Sequence, residues 1–136
     1  MIRLKFEERL VVFAAECIFF VEKLPKTQAG YYYADQLLRA SGSSALHYGE
    51  AQGTSTTKDF IYKVSGSLKE LKECIMILKI LNHINYGTSE SRSQLTREAI
   101  ELSRIAGRMI LNKKTKNTWI NSAFVHLLLL PKPLSL

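Results

Sequence analysis

The stretch from Pro25 to Pro131 contains no other proline, and this constrains the fold more than any other feature of the sequence. Proline breaks helix interiors and is common in the turns of all-β proteins, so its absence favours long helices. Apolar residues make up 46% of the chain and charged residues 23%, which is typical of a globular protein. A length of 136 residues suits one domain with a sizeable hydrophobic core.

Apolar residues recur at steps of three and four in four segments, the pattern of amphipathic helices. The first helix is predicted from about residue 2 to 23, and the second begins near Ala29 or Tyr31. Thr56 or Thr57 can cap the third helix, and Gly87 suits a position beyond its end. A fourth helix begins at Ser89 or Ser91. Short loops between such helices predict an all-α fold, an antiparallel up-down-up-down four-helix bundle.

The last part of the chain differs from the four helical segments. We therefore expect two regions, a bundle over residues 1–116 and a hydrophobic C-terminal tail over residues 117–136. The apolar run from Ala123 to Leu130 is interrupted by His126 and is far shorter than the roughly 20 residues that span a bilayer. We expect no membrane segment. Because so much free apolar surface would aggregate, the tail is predicted to dock on its own bundle or on a neighbouring subunit.

Residue types that support catalysis or metal binding occur without the necessary spacing. Cys17 and Cys74 lie in helical patterns and are predicted to be buried thiols of a reducing cytoplasm. The histidines share no ligand spacing with each other or with the cysteines. Acidic residues within the N-terminal apolar pattern exclude a secretory signal. We expect a cytoplasmic protein with no metal and no cofactor.

The segment Leu37–Gly53 resembles a phosphate-binding loop in composition but not in spacing. Gly49 and Gly53 are separated by three residues, whereas a P-loop has four and then Lys followed by Ser or Thr. Ser43, His47 and Glu50 lie on successive turns of one predicted helix, which offers no sharp turn for a nucleophile and no free oxyanion donors. We therefore expect no enzymatic activity.

As a helix, the same segment has a stripe of polar residues at the spacing that apolar residues use elsewhere. The members of this polar stripe are Gln36, Arg39, Ser43, His47 and Glu50. Small residues beside the stripe allow a neighbouring helix to approach closely. Arg39 and Glu50 are about 16 Å apart along one helix, so each needs a partner on another helix or subunit. The stripe is predicted to be a buried structural interface.

Two blocks of the sequence resemble a known family. Gln36-x-x-Arg39-Ala40, then Ser43 and His47-Tyr48-Gly49-Glu50-Ala51, resembles the Q-x-x-R-A…S…N-I-A-E-G signature of the four-helix-bundle proteins encoded in 23S rRNA intervening sequences, also called S23 ribosomal proteins. Lys58-Asp59-Phe60 and the run from Gly66-Ser67 to Glu70-Leu71 resemble the second block. The resemblance covers about residues 5–112. The chain departs from the signature at His47, Tyr48 and Ala51.

The resemblance implies a non-catalytic, ring-like homopentamer of antiparallel four-helix bundles with a basic surface. The accessory proteins of diversity-generating retroelements are similar, and they bind nucleic acid and a reverse transcriptase. By this resemblance Gly66 and Ser67 join the polar stripe as structural residues. A homo-oligomer, RNA or DNA, and a protein partner such as a reverse transcriptase are thus the expected partners.

The formal net charge of +7 lies entirely in the second part of the chain. Residues 1–55 carry six basic and six acidic side chains, whereas residues 56–136 carry thirteen basic and six acidic ones. Such asymmetry fits two interpretations equally, attraction to an acidic partner such as nucleic acid or a charged surface that keeps the protein in solution. The predicted contacts are Lys63, Lys72, Arg97, Arg104, Arg108, Lys113, Lys114 and Lys116. The alternative is a protein-interaction scaffold that does not bind nucleic acid directly.

Overall fold

The computed structural model describes residues 5–129 and consists of four α-helices. The helices are α1 (Phe6–Glu22), α2 (Gln28–Gln52), α3 (Thr57–His83) and α4 (Ser89–Leu129). No β-strand occurs among the described residues, so the predicted all-α class with four helices is confirmed. The predicted start of the first helix near residue 2 and the chain after residue 129 lie outside the described residues.

Hydroxyl side chains fix the starts of two helices. The Thr27 hydroxyl accepts a hydrogen bond from the Gly30 amide at 3.0 Å and caps α2. The Thr56 hydroxyl accepts from the Asp59 amide at 3.1 Å and caps α3 as predicted. Each of these bonds satisfies a donor that the first helical turn leaves without a partner.

The turn between α3 and α4 depends on a glycine. Gly87 has a φ of +75°, a left-handed conformation that side chains with a Cβ rarely adopt. A Cβ at this position would also overlap the ring of Phe20 on α1. The prediction that Gly87 lies beyond the end of the third helix is confirmed.

The core is formed by the apolar faces that the periodicity predicts. Helices α1, α3 and α4 each turn one apolar face inward. The buried residues on these faces are Leu10, Phe13, Cys17, Val64, Leu71, Cys74, Leu78, Leu81, Leu95, Ala99 and Leu102. The α2 face is smaller, because its buried residues include Gly30, Ala40, Ser41 and Ser44 beside Leu37. Small side chains bring the axis of α2 close to its neighbours, which is the close approach expected from the sequence.

Each helix packs against the next, and α1 also packs against α4. An ion pair supports this last contact, because Arg9 donates two hydrogen bonds of 3.0 Å to the Glu98 carboxylate. The hydrogen bond from Arg9 to Glu98 raises the pKa of the guanidinium. The four helices thus close into a bundle.

The end of α4 differs from the sequence prediction. Helix α4 passes the predicted boundary at residue 116 without a break and runs from Ser89 to Leu129, 41 residues in all, whereas α3 has 27 residues. No glycine or proline follows Gly107 before Pro131, so nothing in the sequence forces an end. Ile110 is the last buried residue among those whose burial the structure describes. Residues 114–129, here named the α4 extension, are exposed wherever their burial is described, so this segment does not dock on its own bundle.

The division predicted at residue 116 therefore falls inside a continuous helix. Docking of the tail on a neighbouring subunit stays a prediction. Among the described residues, no helix is long and apolar enough to cross a membrane.

Candidate functional site

The polar stripe of α2 makes its contacts with α3. The Arg39 guanidinium bonds the Glu70 carboxylate at 3.3 Å and also pairs with Glu73. Gln36 accepts a longer bond of 3.5 Å from the same guanidinium. Glu70 is largely buried, with only 11% of its side chain exposed, so Arg39 neutralises a carboxylate that water barely reaches. Arg39 thus has its partner on another helix.

Glu50 at the other end of the stripe also pairs with α3. Its carboxylate accepts a hydrogen bond from the Lys63 ammonium. That bond lowers the pKa of Glu50 and raises the pKa of Lys63. Both residues are partly exposed, so the pair contributes little to stability.

Between these two ion pairs the helices touch through small residues. The Ser67 hydroxyl donates to the Ser44 carbonyl at 2.8 Å, and both serines are fully buried. The ring of His47 lies over Gly66, where an added Cβ would be 3.2 Å from the ring. A larger residue at position 66 would push the imidazole away. We name this set of contacts, from Arg39 to Glu50 on α2, the α2–α3 seam.

The seam differs from the prediction in its burial. Gln36, Ser43 and His47 are half-buried, while Arg39 and Glu50 are exposed in the single chain. The stripe is therefore the rim of the α2–α3 contact, and the buried part of the contact includes Ser44 and Ser67. Ser67 is among the predicted structural residues and Ser44 is not, because serine is equally common on exposed faces.

Three of the predicted nucleic-acid contacts form a row on α4. Arg97, Arg104 and Arg108 lie at steps of seven and four, which places them on one helix face, and all are exposed. The nearest ion pair to Arg104 is a long one of 3.9 Å with Glu101, one turn away. We name these three residues the basic row. Their guanidinium groups face solvent, where a phosphate could reach them.

The other five predicted contacts do not join this row. Lys63 is paired within the seam, and Lys72 is exposed on α3. The Lys113 ammonium lies 4.8 Å from the centre of the Phe60 ring, a cation–π contact that holds α4 against the start of α3. Lys114 and Lys116 lie exposed in the α4 extension.

A cavity of about 420 Å³ between α3 and α4 is bordered by Arg97 of the basic row. Its lining also includes three basic residues that were not among the predicted contacts, Lys79, His83 and Arg92. Arg92 is only 5% exposed and donates to the Asn82 side chain at 3.0 Å and the Tyr86 carbonyl at 2.9 Å. In the sequence it looks like a solvated arginine at a helix start. Its acceptors are brought together only when the α3–α4 turn forms.

No group of three or more His, Cys, Asp or Glu side chains within residues 5–129 could hold a metal ion. Cys17 and Cys74 are free and buried, and burial raises the pKa of Cys17 to about 12 and the pKa of Cys74 further. Thiols in this state are protonated and poor nucleophiles or ligands. The prediction that they are buried thiols is confirmed.

Comparison with known proteins places these features in a family. The model of the 23S rRNA-intervening sequence protein family matches residues 3–108. A crystal structure from Bacteroides thetaiotaomicron, a protein with unknown function from the S23 ribosomal protein family, superposes with a TM-score of 0.73 at 24% identity. The match covers 78% of this chain and 98% of that one. The family model ends at residue 108, before the α4 extension begins. Among curated proteins, no sequence matches the chain.

Proposed function

The chain belongs to the 23S rRNA-intervening sequence protein family, and from that premise we propose that it is a non-catalytic, cytoplasmic homo-oligomer that binds nucleic acid through a basic surface. The proposal includes an antiparallel up-down-up-down topology and assembly as a pentamer. The solved relative has unknown function, so the proposal rests on the residues of this chain.

The observation that carries nucleic-acid binding is the basic row on α4. Its members are exposed arginines, on the face of a helix that belongs to the basic part of the chain. Arginine binds phosphate oxygens through two parallel hydrogen bonds, and a row along a helix matches the repeated charges of a backbone. No aromatic residue lies between these arginines at positions 97–108, so the expected contact is with phosphates and is largely independent of base sequence.

The pairing across the α2–α3 seam supports the antiparallel arrangement. From Arg39 with Glu70, through Ser44 with Ser67, to Glu50 with Lys63, the residue number rises on α2 while it falls on α3. The loops joining successive helices are only a few residues long, which is the usual connection between antiparallel neighbours.

Exposed apolar surface supports assembly into a homo-oligomer. Val11, Val12, Ile18 and Phe19 lie on the outer side of α1 and are 43–67% exposed. The α4 extension exposes Trp119, Ile120, Val125, Leu128 and Leu129. Groups of exposed apolar side chains are typical of association surfaces. Burial against further copies of the chain would remove both from water.

Fluorescence anisotropy with a labelled single-stranded RNA tests the proposal. We expect Arg97→Gln, Arg104→Gln and Arg108→Gln together to weaken binding at low salt by tenfold or more, because each removes phosphate contacts. The matched control replaces the exposed Lys23, Lys26 and Lys69 with Gln, removing the same charge elsewhere. The control should bind within about twofold of the unchanged chain. An unchanged chain with no affinity for RNA or DNA at low salt would refute nucleic-acid binding.

The α4 extension favours a second candidate function, an interaction scaffold without direct nucleic-acid binding. Its exposed apolar residues could receive a protein partner on the oligomer, such as the reverse transcriptase suggested by the family resemblance. Ending the chain after Lys116 should then abolish recovery of that partner from lysate. Undiminished recovery would count against the scaffold.

A further inference from the structure

We propose that the cavity between α3 and α4 is an anion site that binds a phosphate group. The proposal deepens the function proposed above, because a nucleic-acid backbone is one source of such a phosphate; a small free phosphate ester is the other. The cavity is separate from the outer face of Arg104 and Arg108, although Arg97 borders it.

The first argument is the charge of Arg92. Its side chain donates to the Asn82 amide oxygen and to the carbonyls of Tyr86 and Gly87. These acceptors orient the guanidinium but carry no net charge. No ion pair with a carboxylate is formed by Arg92 within residues 5–129. A buried charge without a counter-ion is costly, and an anion in the adjoining cavity would compensate it.

The second argument is the composition of the cavity wall. Lys79 and His83 from α3 and Arg97 from α4 line it together with Arg92, and the lining contains no Asp or Glu. Three cationic residues and a histidine therefore line one concave space. The resulting positive potential is stronger in a cleft than on an open surface, because low-dielectric walls focus the field.

The third argument is the match of size and hydrogen-bond donors to phosphate. A volume of about 420 Å³ falls within the roughly 300–1,000 Å³ of small-ligand sites and exceeds the need of a phosphate alone. The hydroxyls of Ser89 and Ser93 add donors to the wall. Ser89 is also the first residue of α4, whose dipole favours an anion at this end.

The test is a calorimetric titration of the full chain with inorganic phosphate. The ionic strength is held constant, and chloride serves as the reference anion. We expect saturable phosphate binding. The double variant Lys79→Gln/Arg97→Gln should weaken it by tenfold or more, because it removes two charge-assisted contacts. Both side chains are exposed, so the fold should survive. The double variant Lys58→Gln/Lys69→Gln removes the same charge from exposed positions of α3 outside the cavity and should leave binding within about twofold.

Two results would overturn the anion site: no phosphate binding beyond that of chloride, or equal weakening in both double variants. Competition with single-stranded RNA then separates the sources of phosphate. Displacement of inorganic phosphate by RNA supports a site for backbone phosphates, whereas bound phosphate that RNA does not displace supports a site for a small phosphate ester. Phosphate binding by the unchanged chain without any RNA affinity would refute the proposed function but retain the anion site.

Discussion

The absence of a Cβ at Gly66 lets α2 and α3 pack closely. A Cβ there would be 3.2 Å from the His47 ring, whereas a Cβ at Gly42 on α2 would meet nothing within 4 Å. Alanine normally stabilises a helix relative to glycine by roughly 0.5–1 kcal/mol. Gly42→Ala should therefore raise the free energy of unfolding, and Gly66→Ala should be about 1 kcal/mol less stable than Gly42→Ala. Urea denaturation of both variants measures the difference, and equal stabilisation would contradict the seam.

The buried Cys17 thiol makes the protein less stable at alkaline pH. Its pKa is raised to about 12 by burial, whereas an unfolded thiol ionises near 8.5. The stabilisation by the protonated thiol is therefore complete below about pH 8.5 and is lost as the pH rises towards 12. Between pH 7 and pH 10 we expect the contribution of this thiol to lower the free energy of unfolding by roughly 2 kcal/mol. Urea denaturation at both pH values should show that Cys17→Ala loses correspondingly less stability between pH 7 and pH 10 than the unchanged chain. An identical loss of stability in the two proteins would contradict the burial of Cys17.

At the residue scale, several side chains of the α2–α3 contact could be predicted from the sequence, but most of their partners could not. The spacing of Arg39 and Glu50 required partners on another helix or subunit, and both partners lie on α3. It did not identify Glu70 or Lys63 as those partners, because the register between two helices depends on packing of the whole seam. Arg92 was missed because its acceptors are loop carbonyls, which the sequence does not distinguish from solvated ones.

At the scale of elements, the α2–α3 contact combines one largely buried carboxylate with an arginine that is 46% exposed. Arg39→Ala leaves Glu70 without its partner and should destabilise the fold by about 1–2 kcal/mol, a figure reduced by solvent screening. Adding Glu70→Gln removes the stranded charge and should recover part of the loss. A double-mutant cycle by urea denaturation measures the coupling. A coupling energy of zero would contradict the ion pair between Arg39 and Glu70. RNA binding by the folded fraction of Arg39→Ala should be unchanged.

The α4 extension is an element that the bundle does not need. Because no residue after Ile110 is buried in the part of the chain whose burial is described, a chain ending after Lys116 should unfold within a few degrees of the full chain when both are monomeric. Circular dichroism at low protein concentration makes the comparison. A chain ending after Leu102, which also removes buried Ala106 and Ile110, is the contrasting control and should be strongly destabilised. A large loss of stability on removing only the extension would show that it packs on its own bundle.

The four helices and their buried faces could be read from the sequence because period and caps are local properties. The end of α4 could not, since a cluster of three lysines after Asn112 looks like a solvated boundary. Lysine is in fact a good helix former, and without glycine or proline the hydrogen-bond pattern simply continues. Whether such a segment stands free or docks depends on surfaces outside the helix itself.

At the scale of the whole molecule, exposed apolar residues occur on all four helices, with one group on α1 and another in the α4 extension. The basic row and the α3–α4 cavity lie on the body of the bundle, outside these two groups. An assembly that buries the apolar surfaces would leave the basic groups of several copies exposed together. Repeated copies would raise the affinity for a long polyanion without any base-specific contact.

The dependence of RNA affinity on salt tests this account most directly. For the unchanged chain, the logarithm of the association constant should fall linearly with the logarithm of the salt concentration, by about 0.7 for each single-strand phosphate neutralised. The variant lacking Arg97, Arg104 and Arg108 should show a slope shallower by about 2. The Lys23, Lys26 and Lys69 control should keep the original slope. An identical slope in all three proteins, or no RNA binding, would contradict a nucleic-acid surface on α4.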